Sequence, residues 1–169
     1  ALGMMLPGTA SIPATDARRM QAATATGRRI VQMVHEDLRP SRILTHAAFD
    51  NAIRALLALG GSTNAVVHLI AMAGRRNIRL PLSRFDELAR TTPFLVNLMP
   101  SGQHLMDRFH AAGGLSAVLA EIRDLLNLDS LTVTGRTLGE NIARARSFDR
   151  DVIRSREQPL AEGGSLAVL

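Results

Sequence analysis

The chain has 169 residues, 46% of them hydrophobic and 21% charged, which is enough for one domain with a real core. Aromatics are only 3% and Trp and Tyr are absent, so that core must be aliphatic; the lack of cysteine excludes disulfides, thiolate zinc sites and cysteine nucleophiles in these residues, and is compatible with the cytoplasm. The formal net charge of +5 comes from arginine alone, spread along the chain without the clustered basic stripe or stacking aromatics of a nucleic-acid binder, and no apolar run is long enough to span a membrane.

Ala1 to Leu6 is apolar and closed by Pro7-Gly8, which looks like the end of a helix rather than a signal peptide. The far end, Gly163-Gly164 followed by Ser165 to Leu169, reads as an apolar strand that stops without a turn. Both ends lead to the expectation that the chain is an internal piece of a larger α/β enzyme.

Helices dominate between them. Thr15 or Asp16 can cap a helix reaching about Leu38, with Met20, Ala23, Ile30, Val31, Val34 and Leu38 at helical spacing, and Pro40 closes it. Thr45 caps a second, with a broad face of Phe49, Ala52, Ile53, Leu56, Leu57 and Leu59, broken by Gly60-Gly61. A third runs over about 64–74 and is apolar nearly all round, which predicts burial and, for His68 within it, a buried hydrogen-bond partner. Ser83 caps a short helix to about Arg90. Phe94 to Met99, between Pro93 and Pro100, reads as a buried strand. Helices over about 103–112 and 116–126 follow, separated by Gly113-Gly114. Leu131 to Thr134 is a second strand, turned by Gly135 into a helix over about 137–145. This alternation argues for an α/β arrangement. The polar stretch 149–162 reads as a linker.

Chemistry-bearing residues are sparse. In Gly60-Gly61-Ser62-Thr63-Asn64, two glycines admit close backbone approach, and the helix start that follows offers free N–H groups to a carboxylate or phosphate. The same residues also make an ordinary helix–helix turn with a Ser or Thr cap. Pro100-Ser101-Gly102 lies between a strand and a helix, where open α/β sheets bind ligands, and equally suits a tight turn. The five histidines, His35, His46, His68, His104 and His110, include no pair at the spacing of a helical zinc site. The carboxylates form no evident acid/base pair, and Thr134-Gly135-Arg136-Thr137-Leu138-Gly139 fits no phosphate loop.

Five ordered stretches carry a resemblance. Leu6-Pro7-Gly8-Thr9-Ala10-Ser11-Ile12-Pro13-Ala14; Ala48 to Ala52 with Gly60 to Leu69; Val96 to Gly102; Ala111-Ala112-Gly113-Gly114 with Leu131 to Asn141; and Pro159-Leu160-Ala161 with Gly163 to Leu169 are similar to dihydroxy-acid dehydratases and the related sugar-acid (phosphogluconate, arabinonate) dehydratases. The resemblance covers essentially the whole chain. It implies a hydro-lyase that converts a 2,3-dihydroxy acid to a 2-keto acid, with an iron–sulfur cluster held by cysteines and Mg2+ held by carboxylates and a carbamylated lysine. It implies that 1–148 is the helix-rich later half of an N-terminal cluster-binding α/β domain. Residues 149–162 would then be a linker, and 163–169 the first strand of a β-rich C-terminal domain. A homodimer or homotetramer acting on a small hydroxy acid, without nucleic acid or membrane, is expected of the parent enzyme. This chain departs from the pattern in having neither cysteine nor lysine. No catalytic or metal residue carries over, the isolated piece is expected to be inactive, and Ser62, Thr63 and Asn64 remain as substrate-side residues. The competing expectation is a stand-alone helical binding or assembly module derived from such an enzyme.

Overall fold

The computed structural model describes residues 1–167. Helices follow in the order α1 (Arg18–His35), α2 (Pro40–Ile43), α3 (His46–Leu59), α4 (Asn64–Arg75), α5 (Leu82–Ala89), α6 (Met106–Ala111), α7 (Gly114–Glu121), a 3-10 turn (Arg123–Leu125) and α8 (Leu138–Ile142). The architecture is helix-rich.

α3 is the axis of the molecule. Its apolar residues are not confined to one stripe, and α4, α5 and α7 all pack on it. Phe49, Ile53, Leu57 and Ala58 are fully buried. The Thr45 hydroxyl accepts the Ala48 N–H at 3.3 Å and fixes the helix start. The helix ends at Gly60, whose φ of 73° is left-handed, and the Gly61 N–H closes onto the Leu56 carbonyl at 3.0 Å. A Cβ on Gly60 would lie 2.8 Å from the Phe94 ring, so the position needs glycine for both conformation and space.

Two larger clusters of buried side chains share α3. One joins it to α6, α7, α8 and the segments around Leu95-Val96 and Val152-Ile153. The other joins it to α4 and α5 through Leu69, Ala73, Phe85 and Leu88. A third, small cluster of Met33, Leu38, Ile43 and Val133 attaches the end of α1. Asn51 is the polar exception in α3. Fully buried, it donates to the Asn127 carbonyl at 3.0 Å and accepts the Asn127 N–H at 2.8 Å, pinning the turn after α7 to the core.

The two expected strands are not strands. Residues 94–98 form only isolated bridges, to Ala161, Ile153 and His104, and residue 131 bridges to Thr137. The cause is where the backbone finds its partners. Leu95 N–H bonds the end of α3 at Ala58, Asn97 N–H bonds Val152, and Phe94 N–H bonds Ala161. Three separate segments thus satisfy one extended stretch, and no continuous ladder forms. Likewise Thr132 N–H turns back to Arg136, while Val133 N–H reaches Gly3.

Helix boundaries also shift. α1 starts at Arg18, whose N–H donates to the Asp16 carboxylate at 2.8 Å as expected of a cap there, whereas α5 starts after Pro81, with no cap from Ser83, and α6 begins only at Met106. The helix expected over 116–126 instead starts at Gly114 and tightens into a 3-10 turn. The expected burial of α4 is overturned: only Leu69 and Ala73 are buried, while Val67 is 66% exposed. One face of α4 meets α3, with Ala65, Val66 and Ile70 half-buried against the second cluster, while Val67 and Met72 are exposed. The stretch 149–162 lies against the body, with Val152 and Ile153 fully buried. Gly164 and Ser165 continue along it, donating to the Ala89 and Leu57 carbonyls. Residues 163–167 carry no strand, and Val168 and Leu169, the end of the strand expected over 163–169, lie outside the described residues.

Candidate functional site: an apolar cavity under the first ten residues

Ser62, Thr63 and Asn64 sit together at the start of α4, all exposed. The Ser62 hydroxyl accepts the Asn64 N–H at 3.2 Å, and Thr63 makes no side-chain cap. The Ala65 and Val66 N–H groups close onto the Ser62 and Thr63 carbonyls at 3.0 Å each, while the Ser62 and Thr63 N–H groups have no protein partner among the described residues. The loop at Pro100-Ser101-Gly102 is accounted for internally. Gly102 lies so close under Asn97 that a Cβ would come within 2.5 Å of its Oδ1. That Oδ1 accepts the Gln103 N–H at 2.9 Å, and His104 Nε2 pairs with Asp151 Oδ2 at 2.8 Å, tying the loop to 149–154. In the stretch from Thr134 to Gly139, Thr137 and Glu140 form a reciprocal capping box on α8. Its carboxyl is held below the usual range by the Thr137 backbone N–H.

The main concavity lies elsewhere. A cavity of about 480 Å3 opens between the N-terminal segment, α3, α4, α7 and α8. Its wall is largely aliphatic, including Leu2, Leu6, Leu56, Leu59, Met72, Leu119 and Ile142. Polar groups enter at a few points. Ser11, buried, shares a 3.1 Å hydrogen bond with His110 Nδ1, and both line the cavity. His68 also lines it from α4; contrary to expectation it is exposed and makes no protein hydrogen bond among the described residues. On the opposite side, Asn141 donates to Thr132 Oγ1 at 2.8 Å and fixes both residues at the wall. Gly114, at φ 57°, gives Ser11 its room: a Cβ there would lie 2.6 Å from the Ser11 hydroxyl. No carboxylate lines the cavity among the described residues. Ala1 itself sits in its wall.

None of Ser62, Thr63 and Asn64 lines this cavity; the neighbouring Ala65 and His68, on the next turn of α4, do. Sequence reasoning did not single out the Ser11–His110 pair. The partners lie 99 residues apart, so no local spacing signals them.

The donors needed for an iron–sulfur cluster and a carbamylated lysine do not fit this chain, which has no cysteine and no lysine. Among the described residues, no three His, Asp or Glu side chains come together as a metal-binding group. No helix among them is long and apolar enough to cross a membrane.

Comparison with known proteins gives these features a context. Residues 1–141 match the family model described as dihydroxy-acid/6-phosphogluconate dehydratase N-terminal. The chain is 50% identical over its whole length to an L-arabinonate dehydratase of Rhizobium leguminosarum bv. trifolii, covering 30% of that protein. It is 48% identical, again over its whole length, to a dihydroxy-acid dehydratase of Ignicoccus hospitalis, covering 31% of it. An L-arabonate dehydratase of Azospirillum brasilense is 49% identical, with 30% of its length covered. The chain therefore spans about 30% of the length of the curated relatives it matches. The resemblance drawn from the motifs is established: this chain belongs to the dihydroxy-acid/6-phosphogluconate dehydratase family.

Proposed function

We propose that the chain is a scaffold piece of a hydro-lyase that removes water from a 2,3-dihydroxy acid, giving an enol that becomes a 2-keto acid. The observation that carries this reading is whole-chain similarity, at about half identity, to dehydratases of both the dihydroxy-acid and the arabinonate kind. In this reading 1–148 belongs to an N-terminal α/β domain whose sheet is contributed largely by other parts of the polypeptide. Residues 149–162 lead toward a β-rich C-terminal domain that begins near 163. The parent enzyme is cytoplasmic and a homodimer or homotetramer. An iron–sulfur cluster and Mg2+ would supply Lewis-acid chemistry to the parent enzyme. This chain offers neither the thiolates nor the lysine for them, and no step of the reaction is assigned to its residues. Ser62, Thr63 and Asn64 stay on the substrate side as a rim at the start of α4, next to the cavity-lining Ala65 and one turn from His68.

Transplantation tests the reading. Residues 1–169 replace the matched region of the Rhizobium leguminosarum L-arabinonate dehydratase, and 2-keto acid formation from L-arabinonate and from 2,3-dihydroxy-3-methylbutanoate is followed. A folded, cluster-loaded chimera that dehydrates one of the two acids is the expected result. A chimera that folds and loads its cluster yet turns over neither acid contradicts it.

A further inference from the structure

α1 turns its polar anchors inward and its apolar residues outward. On the inner side Arg19 donates to the Ile12 carbonyl at 2.9 Å, and Arg29 donates to the Val133 carbonyl while pairing with Glu36. Met33 is the only buried residue of the helix. At roughly 100° per residue, Met20, Ala23, Gly27, Ile30 and Val34 fall on another side, at the alternating three- and four-residue spacing of a helix–helix seam, with Val31 beside them. All of these are exposed, Met20 to 73% and Val34 to 74%. The seam runs for about 21 Å. Apart from the helix itself, nothing among the described residues comes within 4 Å of a Cβ built on Gly27.

We propose that this seam is a docking surface for an aliphatic helix with acidic margins, supplied by the part of the parent polypeptide outside these residues. The proposal rests on the reading of the chain as one piece of a dehydratase. A continuous line of exposed Met, Ile and Val is costly in water, and the two arginine anchors keep the helix from rolling it inward. Three observations identify the occupant. Ala23 and Gly27 at the middle of the seam admit a second backbone at close approach, which suits a helix. The chain spans about 30% of the length of its curated relatives, so most of the polypeptide able to cover the seam lies outside it. The margin is basic: Arg28 is exposed beside the seam, while the acids near the helix ends are taken, Asp16 by Arg18, Glu36 by Arg29 and Asp37 by Arg39. A second copy would bring basic margin against basic margin. A helix carrying Asp or Glu beside its apolar stripe pairs with Arg28 instead.

The full-length chimera, in which residues 1–169 replace the matched region of the Rhizobium leguminosarum L-arabinonate dehydratase, provides the test. Ala25 is exposed on the side of α1 opposite the seam, so Ala25→Met installs a reference methionine on the same helix. Hydroxyl-radical footprinting read by mass spectrometry should find Met20 oxidised roughly tenfold more slowly than that reference. Gly27→Leu should lower the thermal midpoint of the chimera by about 3–8 °C by overpacking the contact, while Ala25→Leu leaves it in place. On an uncovered helix Gly27→Leu would act in the opposite sense, because leucine is the better helix former. Equal oxidation of the two methionines, or a midpoint raised by Gly27→Leu, overturns the proposal. So does a graft that is soluble only after Ile30→Lys and Val34→Lys remove the seam. A Gly27→Leu chimera that sediments as a smaller species than its parent assigns the seam to a second copy and overturns it as well. Footprinting and sedimentation need no turnover. The seam can therefore fail in an active chimera, and the dehydratase reading can fail in a folded, cluster-loaded chimera whose seam is covered.

Discussion

α3 and α4 are neighbours in sequence, similar in length and similarly apolar, yet they end in opposite environments. α3 buries Phe49, Ile53, Leu57 and several alanines against three other helices. α4 buries Leu69 and Ala73 and leaves Val67 66% and Met72 38% exposed. Helical periodicity reports which residues share a face, and nothing in it reports whether another element arrives to cover that face. The contrast also places the cavity. It opens where α4's inner residues face α3 without filling the space between them and the N-terminal segment.

The largest test of this contrast is truncation on both helices. Phe49→Ala and Leu57→Ala in α3 should each cost about 3–5 kcal/mol, measured by urea unfolding, because fully buried atoms leave a cavity behind. Val67→Ala in α4 should change stability by less than about 0.5 kcal/mol; equal losses on the two helices would erase the distinction. Next in size is the buried amide of α3. Asn51→Ala should cost about 1–3 kcal/mol, since the Asn127 carbonyl and N–H lose their partner inside the core.

The glycines sharpen the comparison further. Gly60→Ala, at a left-handed position against the Phe94 ring, should destabilise by about 1–2 kcal/mol. Gly74→Ala, in helical conformation on α4 with open space around the new Cβ, should stabilise by about 0.5–1 kcal/mol. Opposite signs are the expected outcome of thermal unfolding.

Much of the helical layout was legible in the sequence because its signals are local. Thr45 and the Gly60-Gly61 pair bracket α3 within a residue, and α4 starts where Ser62 and Thr63 announce it. Phe94 to Met99 misled because an extended apolar run between prolines looks the same whether its backbone meets one partner strand or three separate segments. The polar look of 149–162 likewise hid Val152 and Ile153, a two-residue anchor too short to show a period. The site was least legible. Its glycine-rich candidates are exposed turns outside the cavity, whereas the cavity is assembled from Ser11, His68, His110, Thr132 and Asn141, residues that only the tertiary fold brings together. Family membership, by contrast, was readable from ordered motifs that need no contact information.

We propose that these residues provide shape to a dehydratase and that the metal chemistry belongs to other parts of it. The most direct test is reconstitution of the purified 169-residue chain with iron, sulfide and Mg2+, followed by ultraviolet–visible spectroscopy and a 2-keto acid assay on L-arabinonate and 2,3-dihydroxy-3-methylbutanoate. The expected result is a folded chain with no stoichiometric cluster absorbance and no keto acid above the protein-free control. A bound cluster accompanied by dehydration of either acid would contradict it.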